Sequence, residues 1–69
     1  MIGKQILEAL KKRYQAQVEE GFATINIYLQ PPVGIGEHPQ HLDEVDKLLG
    51  QIKEAEEKMS LINEGKWML

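Results

Sequence analysis

The stretch that decides the fold is Pro31-Pro32-Val33-Gly34-Ile35-Gly36-Glu37-His38-Pro39. Prolines and glycines at this density end one element of secondary structure and begin another. The segments on both sides repeat apolar residues at steps of three and four, which is the spacing of one helical face. The sequence therefore predicts an all-α, antiparallel two-helix hairpin as a single domain over residues 1–69. Its helices cover about 2–30 and 39–64, joined by a loop at 31–38 and followed by a short apolar tail at 65–69.

The apolar faces of the two predicted helices form the hairpin core. Its members are Leu7, Leu10, Tyr14, Val18, Phe22, Ile25, Leu29, Val45, Leu49, Ile52, Met59 and Ile62. The two faces align across the loop in a near-constant register, as an antiparallel hairpin requires. That register places Gly21 opposite Leu49 and Val18 opposite Ile52. Gly65 is a natural stop for the second helix.

Residues 22–30 also carry a rival pattern. Between Ala23 and Gln30 apolar and polar side chains alternate, which is typical of a β-strand. No other segment of the chain alternates, so a strand here would have no partner within one chain. We therefore predict a helix over these residues, with a strand as the alternative.

A second apolar set lies almost opposite the core face of the first helix, at about 100° per residue. With the apolar tail it forms the predicted oligomer interface: Ile2, Ile6, Ala9, Ala16, Ala23, Ile27, Trp67 and Leu69. Alanine at every seventh position lets another helix approach closely, although alanine is also simply the best helix former. Because one hairpin cannot bury this face, we expect self-association, most simply as a homodimer that forms a four-helix bundle.

Composition and charge limit the classes of function. The 69-residue chain has no cysteine, which excludes a disulfide scaffold and a cysteine nucleophile. The net charge of −3 argues against nucleic acid, and the run Lys11-Lys12-Arg13 is typical of a solvated helix surface. No stretch approaches the roughly 18 apolar residues of a membrane span, so no membrane partner is expected. The start lacks the apolar run of a signal peptide, which predicts a cytoplasmic protein.

The loop supplies the candidate ligand site, formed by Gly34, Ile35, Gly36, His38 and His41. Two glycines before a helix N-terminus can hold the phosphate of a small ligand, although the segment lacks the lysine and hydroxyl of a P-loop. The glycines equally suit a turn that needs positive φ. The two histidines have a spacing that suits zinc, but two imidazoles are too few to predict a metal site.

No arrangement of catalytic residues is recognisable in the sequence. Ser60 is the only serine, and no histidine lies close to it along the chain. No pair of acids falls in an evident cleft. We therefore expect no enzyme, no cofactor and no metal.

The loop and the helix after it also resemble a known group of proteins. The residues that carry the likeness are Pro32-Val33-Gly34-Ile35-Gly36-Glu37-His38-Pro39 and Glu54-Ala55-Glu56-Glu57-Lys58. Over about residues 22–58 the chain resembles small uncharacterised proteins of tailed bacteriophages, specifically in the loop and generically in the helices. Those proteins carry asparagine where Pro31 stands here, so a side-chain cap at the end of the first helix is missing. The resemblance implies a helical hairpin of viral origin and brings no activity.

These features favour a non-catalytic, self-associating interaction protein. The outer helix face and the apolar tail are expected to bind a host or virion protein, and by the resemblance the protein is phage-encoded and works in the host cytoplasm. One alternative is an oligomeric sponge that sequesters a nucleotide or another phosphate-containing host immune signal at the loop containing Gly34 and Gly36. A second alternative is a minor structural subunit of a phage particle. The sequence identifies neither the partner nor the number of chains.

Overall fold

The computed structural model describes residues 2–30 and 39–68, with side chains described at 2–30 and 41–68. This part of the chain consists of two α-helices, α1 (Ile2–Leu29) and α2 (Pro39–Asn63). The helices pack against each other as a hairpin that measures 54 × 14 × 12 Å. The predicted all-α hairpin is confirmed, and residues 22–29 belong to α1 rather than to a strand.

The end of α2 follows from Gly65, as the sequence predicts. Its φ of 71° lies in the left-handed region, which favours glycine at the end of a helix. The backbone N–H of Gly65 donates to the carbonyl of Ile62 at 3.3 Å, and that of Glu64 donates to the carbonyl of Ser60 at 3.0 Å. The indole Nε1 of Trp67 donates to the same Ile62 carbonyl at 3.2 Å. The tail therefore turns back over the last turn of α2.

The two helices meet most closely along a narrow seam, which we define as Gly21, Ile25, Ile52 and Ala55. The exposed fractions of Ile25, Ile52 and Ala55 are 7%, 4% and 2%, and Gly21 is also buried. A Cβ atom on Gly21 would lie 2.6 Å from Cγ1 and 2.8 Å from Cδ1 of Ile52. Only glycine at position 21 allows α1 to approach Ile52 this closely.

The register of the hairpin differs from the predicted one. Gly21 faces Ile52 rather than Leu49, which is a shift of three residues and nearly one helical turn. The Nζ atom of Lys58 lies 5.4 Å from the centre of the Tyr14 ring, at the same shifted level. Apolar residues recur every three or four positions, so sliding one helix by a turn matches the two patterns almost equally well.

Three predicted core residues, Phe22, Leu29 and Leu49, are instead exposed. Phe22 directly follows Gly21 and is therefore rotated about 100° away from it around α1. A single neighbouring helix covers too narrow a strip to bury residues so far round. Ile25 and Ile52 are buried as predicted, and the other predicted core residues are half-buried around the seam: Leu7, Leu10, Tyr14, Val18, Val45, Met59 and Ile62.

Candidate interaction faces

One side of α1 is an apolar surface that α2 leaves uncovered. We call it the outer face, and its residues are Ile2, Ile6, Ala9, Ala16, Ala23 and Ile27, all of them exposed. At 100° per residue most of them lie about 100° to 160° around α1 from Gly21, with Ile6 nearer to it. Trp67, predicted to share this interface, is exposed and hydrogen-bonded at the end of α2. Leu69 lies outside the described residues.

A second apolar surface is shared by both helices, and we call it the open face. It consists of Phe22, Leu29, Leu42 and Leu49, whose exposed fractions run from 48% to 77%. These residues lie about 60° to 100° around their helices from Gly21 and Ile52. On both helices these residues are displaced from the seam in the same rotational direction, viewed along the chain. Because the two helices run antiparallel, all four side chains therefore lie on one side of the seam.

The opposite side of the seam is a polar groove of about 400 Å³. Its lining residues are Gln17, Glu20, Gly21, Leu48, Gln51, Glu54, Ala55 and Lys58. An ion pair joins Lys58 Nζ to Glu54 Oε1 at 2.9 Å, and the same ammonium lies over the Tyr14 ring. The groove therefore combines amide groups with the Glu20 carboxylate and with the paired Glu54 carboxylate and Lys58 ammonium.

The ion pair in the groove determines what the groove can do chemically. The hydrogen bond from Lys58, helped by its positive charge, lowers the pKa of the Glu54 carboxyl from its ordinary value. The same bond raises the pKa of the Lys58 ammonium. Both pKa values are shifted away from neutrality, whereas a general acid or base works best with a pKa near the working pH.

The candidate ligand loop lies largely outside the described residues, which do not include Gly34, Ile35, Gly36 or His38. His41 is described, and its ring packs on Tyr28 with centroids 5.2 Å apart and planes tilted by 59°. This contact joins the end of α1 to the beginning of α2, so it closes the loop end of the hairpin.

The described residues offer neither a metal-binding cluster nor a membrane-spanning helix. Within residues 2–30 and 39–68, no group of three or more histidine, aspartate or glutamate side chains is placed to hold a metal ion. Over the same residues, neither helix combines the length and the apolar character needed to cross a bilayer.

Sequence reasoning missed the open face and the role of Gly21. A signal for the open face was present, because the predicted core stripe of α1 spans more of the helix circumference than one neighbour covers. Phe22 and Leu29 lie at the edge of that stripe. The close approach at Gly21 has no sequence signal of its own, since a glycine inside a helix does not reveal what packs against it.

The chain was also compared with protein-family models, with curated proteins and with solved structures, and none of them matches it. Similarity to other proteins therefore supplies no activity, partner or site residue. The resemblance to tailed-bacteriophage proteins stays a prediction from the sequence.

Proposed function

We propose that this protein is a non-catalytic helical hairpin that self-associates and serves as an interaction protein. The observation that carries the proposal is how little of the described hairpin is core, because the two helices bury one narrow seam and leave large apolar side chains exposed on two other faces.

The distribution of apolar side chains supports the same proposal. Only three hydrophobic residues of the described part are buried, and all three belong to the seam. Among the same described residues, ten large hydrophobic side chains are exposed: Ile2, Ile6, Phe22, Ile27, Leu29, Leu42, Leu49, Leu61, Trp67 and Met68. A small domain with so little core and no cysteine commonly gains its stability from oligomerisation.

The further partner in this proposal is another protein, held by the outer face and the tail. Apolar surface of this extent is typical of protein interfaces. The resemblance to tailed-bacteriophage proteins makes a host or virion protein the expected partner and the host cytoplasm the expected location.

Sedimentation velocity over a wide concentration range tests the proposal. We expect a discrete oligomer at micromolar concentrations, and native mass spectrometry of the same sample counts its chains. A single 7.9 kDa species at every concentration would contradict the proposal. A retained nucleotide in the mass spectrum would instead favour the sponge that sequesters a host signal.

A further inference from the structure

We propose that a second copy of this chain packs on the open face, with both hairpins pointing the same way. In this arrangement α1 of each copy lies against α2 of the other. All four neighbouring helix pairs of the resulting bundle are antiparallel, which aligns their dipoles favourably. The inference rests on the proposed self-association and assigns the surface that mediates it.

The levels of the apolar residues along the hairpin support this geometry. The contact between Gly21 and Ile52 fixes which positions of α1 and α2 lie side by side. By that register Phe22 lies within one helical turn of Leu49, and Leu29 lies within one turn of Leu42. A two-fold axis parallel to the helices relates the copies without changing the position of any residue along the bundle. Phe22 then meets Leu49 of the partner subunit, and Leu29 meets Leu42 of the partner subunit.

The charges along the same edge are complementary in this arrangement. By the same register Glu19 of α1 lies within one residue of the level of Lys53 of α2. Lys53 Nζ already lies 3.9 Å from Glu57 Oε1, and both side chains are exposed. Packing α1 on the partner's α2 would extend this pair into a network of alternating charges. In the alternative arrangement, α1 of one copy packs antiparallel on α1 of the other, with Phe22 at the centre. Glu19 would then lie near the level of Ile25 in the second copy and would meet no opposite charge.

The outer face is a poorer surface for a second copy. It belongs to α1 alone, whereas on that side of the hairpin α2 presents polar residues such as Gln51 and Lys58. A copy bound there would contact one helix, but a copy on the open face contacts two. The outer face then remains available to a different protein.

Single-cysteine variants test the arrangement, because the natural chain has no cysteine and each introduced thiol is unique. Phe22→Cys and Leu49→Cys chains are unfolded together, refolded as a mixture and oxidised mildly. We expect the mixed disulfide to exceed either self-disulfide several-fold, as mass spectrometry would show. Ala16→Cys, on the outer face, is the matched control and is expected to form little disulfide with itself.

Each other outcome overturns the inference. A dominant Phe22→Cys self-disulfide would place α1 on α1, and a dominant Ala16→Cys self-disulfide would place the second copy on the outer face. Sedimentation of the reduced variants separates two kinds of failure. An oligomer without the mixed disulfide refutes only the surface, whereas a monomer refutes the proposed function as well.

A second measurement on the natural chain covers the case in which the variants do not fold. Isotopically light and heavy chains are mixed and treated with a carbodiimide, which joins carboxylates to amines at contact distance. We expect cross-linked peptides between Glu19 of one chain and Lys53 of the other. Cross-links found only within single chains would overturn the inference.

Discussion

The seam and the open face are neighbouring strips of the same two helices, yet they are built from side chains of different size. The seam pairs Gly21 and Ala55 with isoleucines and is almost completely buried. The open face carries Phe22 and three leucines, and all of them are largely exposed. Small residues bring the helix axes close together, and this closeness leaves larger side chains beside the seam rather than inside it. The hairpin thus closes around small residues and leaves Phe22 and the three leucines exposed.

Truncating a seam residue should have the largest effect. Ile52→Ala removes a buried side chain that packs on Gly21 and should lower the free energy of unfolding by about 2 to 5 kcal/mol. Leu61→Ala is the matched control, because Leu61 is exposed on the side of α2 away from the seam. Its effect should stay within about 0.5 kcal/mol.

Urea denaturation followed by circular dichroism measures both variants at one protein concentration. Equal losses from Ile52→Ala and Leu61→Ala would mean that the far side of α2 is buried as deeply as the seam. That result would contradict the contrast between a closed seam and exposed outer surfaces.

Two glycines sharpen the same comparison with a smaller effect. A Cβ on Gly50 meets nothing within 4 Å, so Gly50→Ala should gain about 1 kcal/mol from helix propensity alone. Gly21→Ala gains the same amount but forces Ile52 to move, which costs about 1 to 3 kcal/mol. Gly50→Ala should therefore unfold at a higher urea concentration than Gly21→Ala. Equal stabilisation of the two variants would contradict the close approach of the Ile52 side chain to Gly21.

The architecture could be predicted from the sequence because two simple signals agree. Proline and glycine interrupt the chain once, and apolar residues recur at helical spacing on both sides of the interruption. The alternation over residues 22–30 competes with the second signal. The helix prevails there because Ile25 has a helical neighbour to pack against, whereas a strand would have none.

The register and the candidate interaction surfaces were harder to predict. A one-turn slide between the helices preserves the pattern of apolar contacts, so the pairing of Gly21 with Ile52 depends on shape rather than on hydrophobicity. The exposure of Phe22 and Leu49 follows from that pairing. The outer face was easier to find, because the 100° helical repeat places most of its residues 100° to 160° around α1 from Gly21.

The most direct test of self-association as the source of stability is the dependence of thermal unfolding on protein concentration. If the folded hairpin is stabilised by a second copy, the melting temperature followed by circular dichroism should rise with concentration. For a dimer, a hundredfold increase should raise it by roughly 5 to 10 °C. A melting temperature that stays constant over that range would show that one hairpin folds alone, and would contradict the proposal.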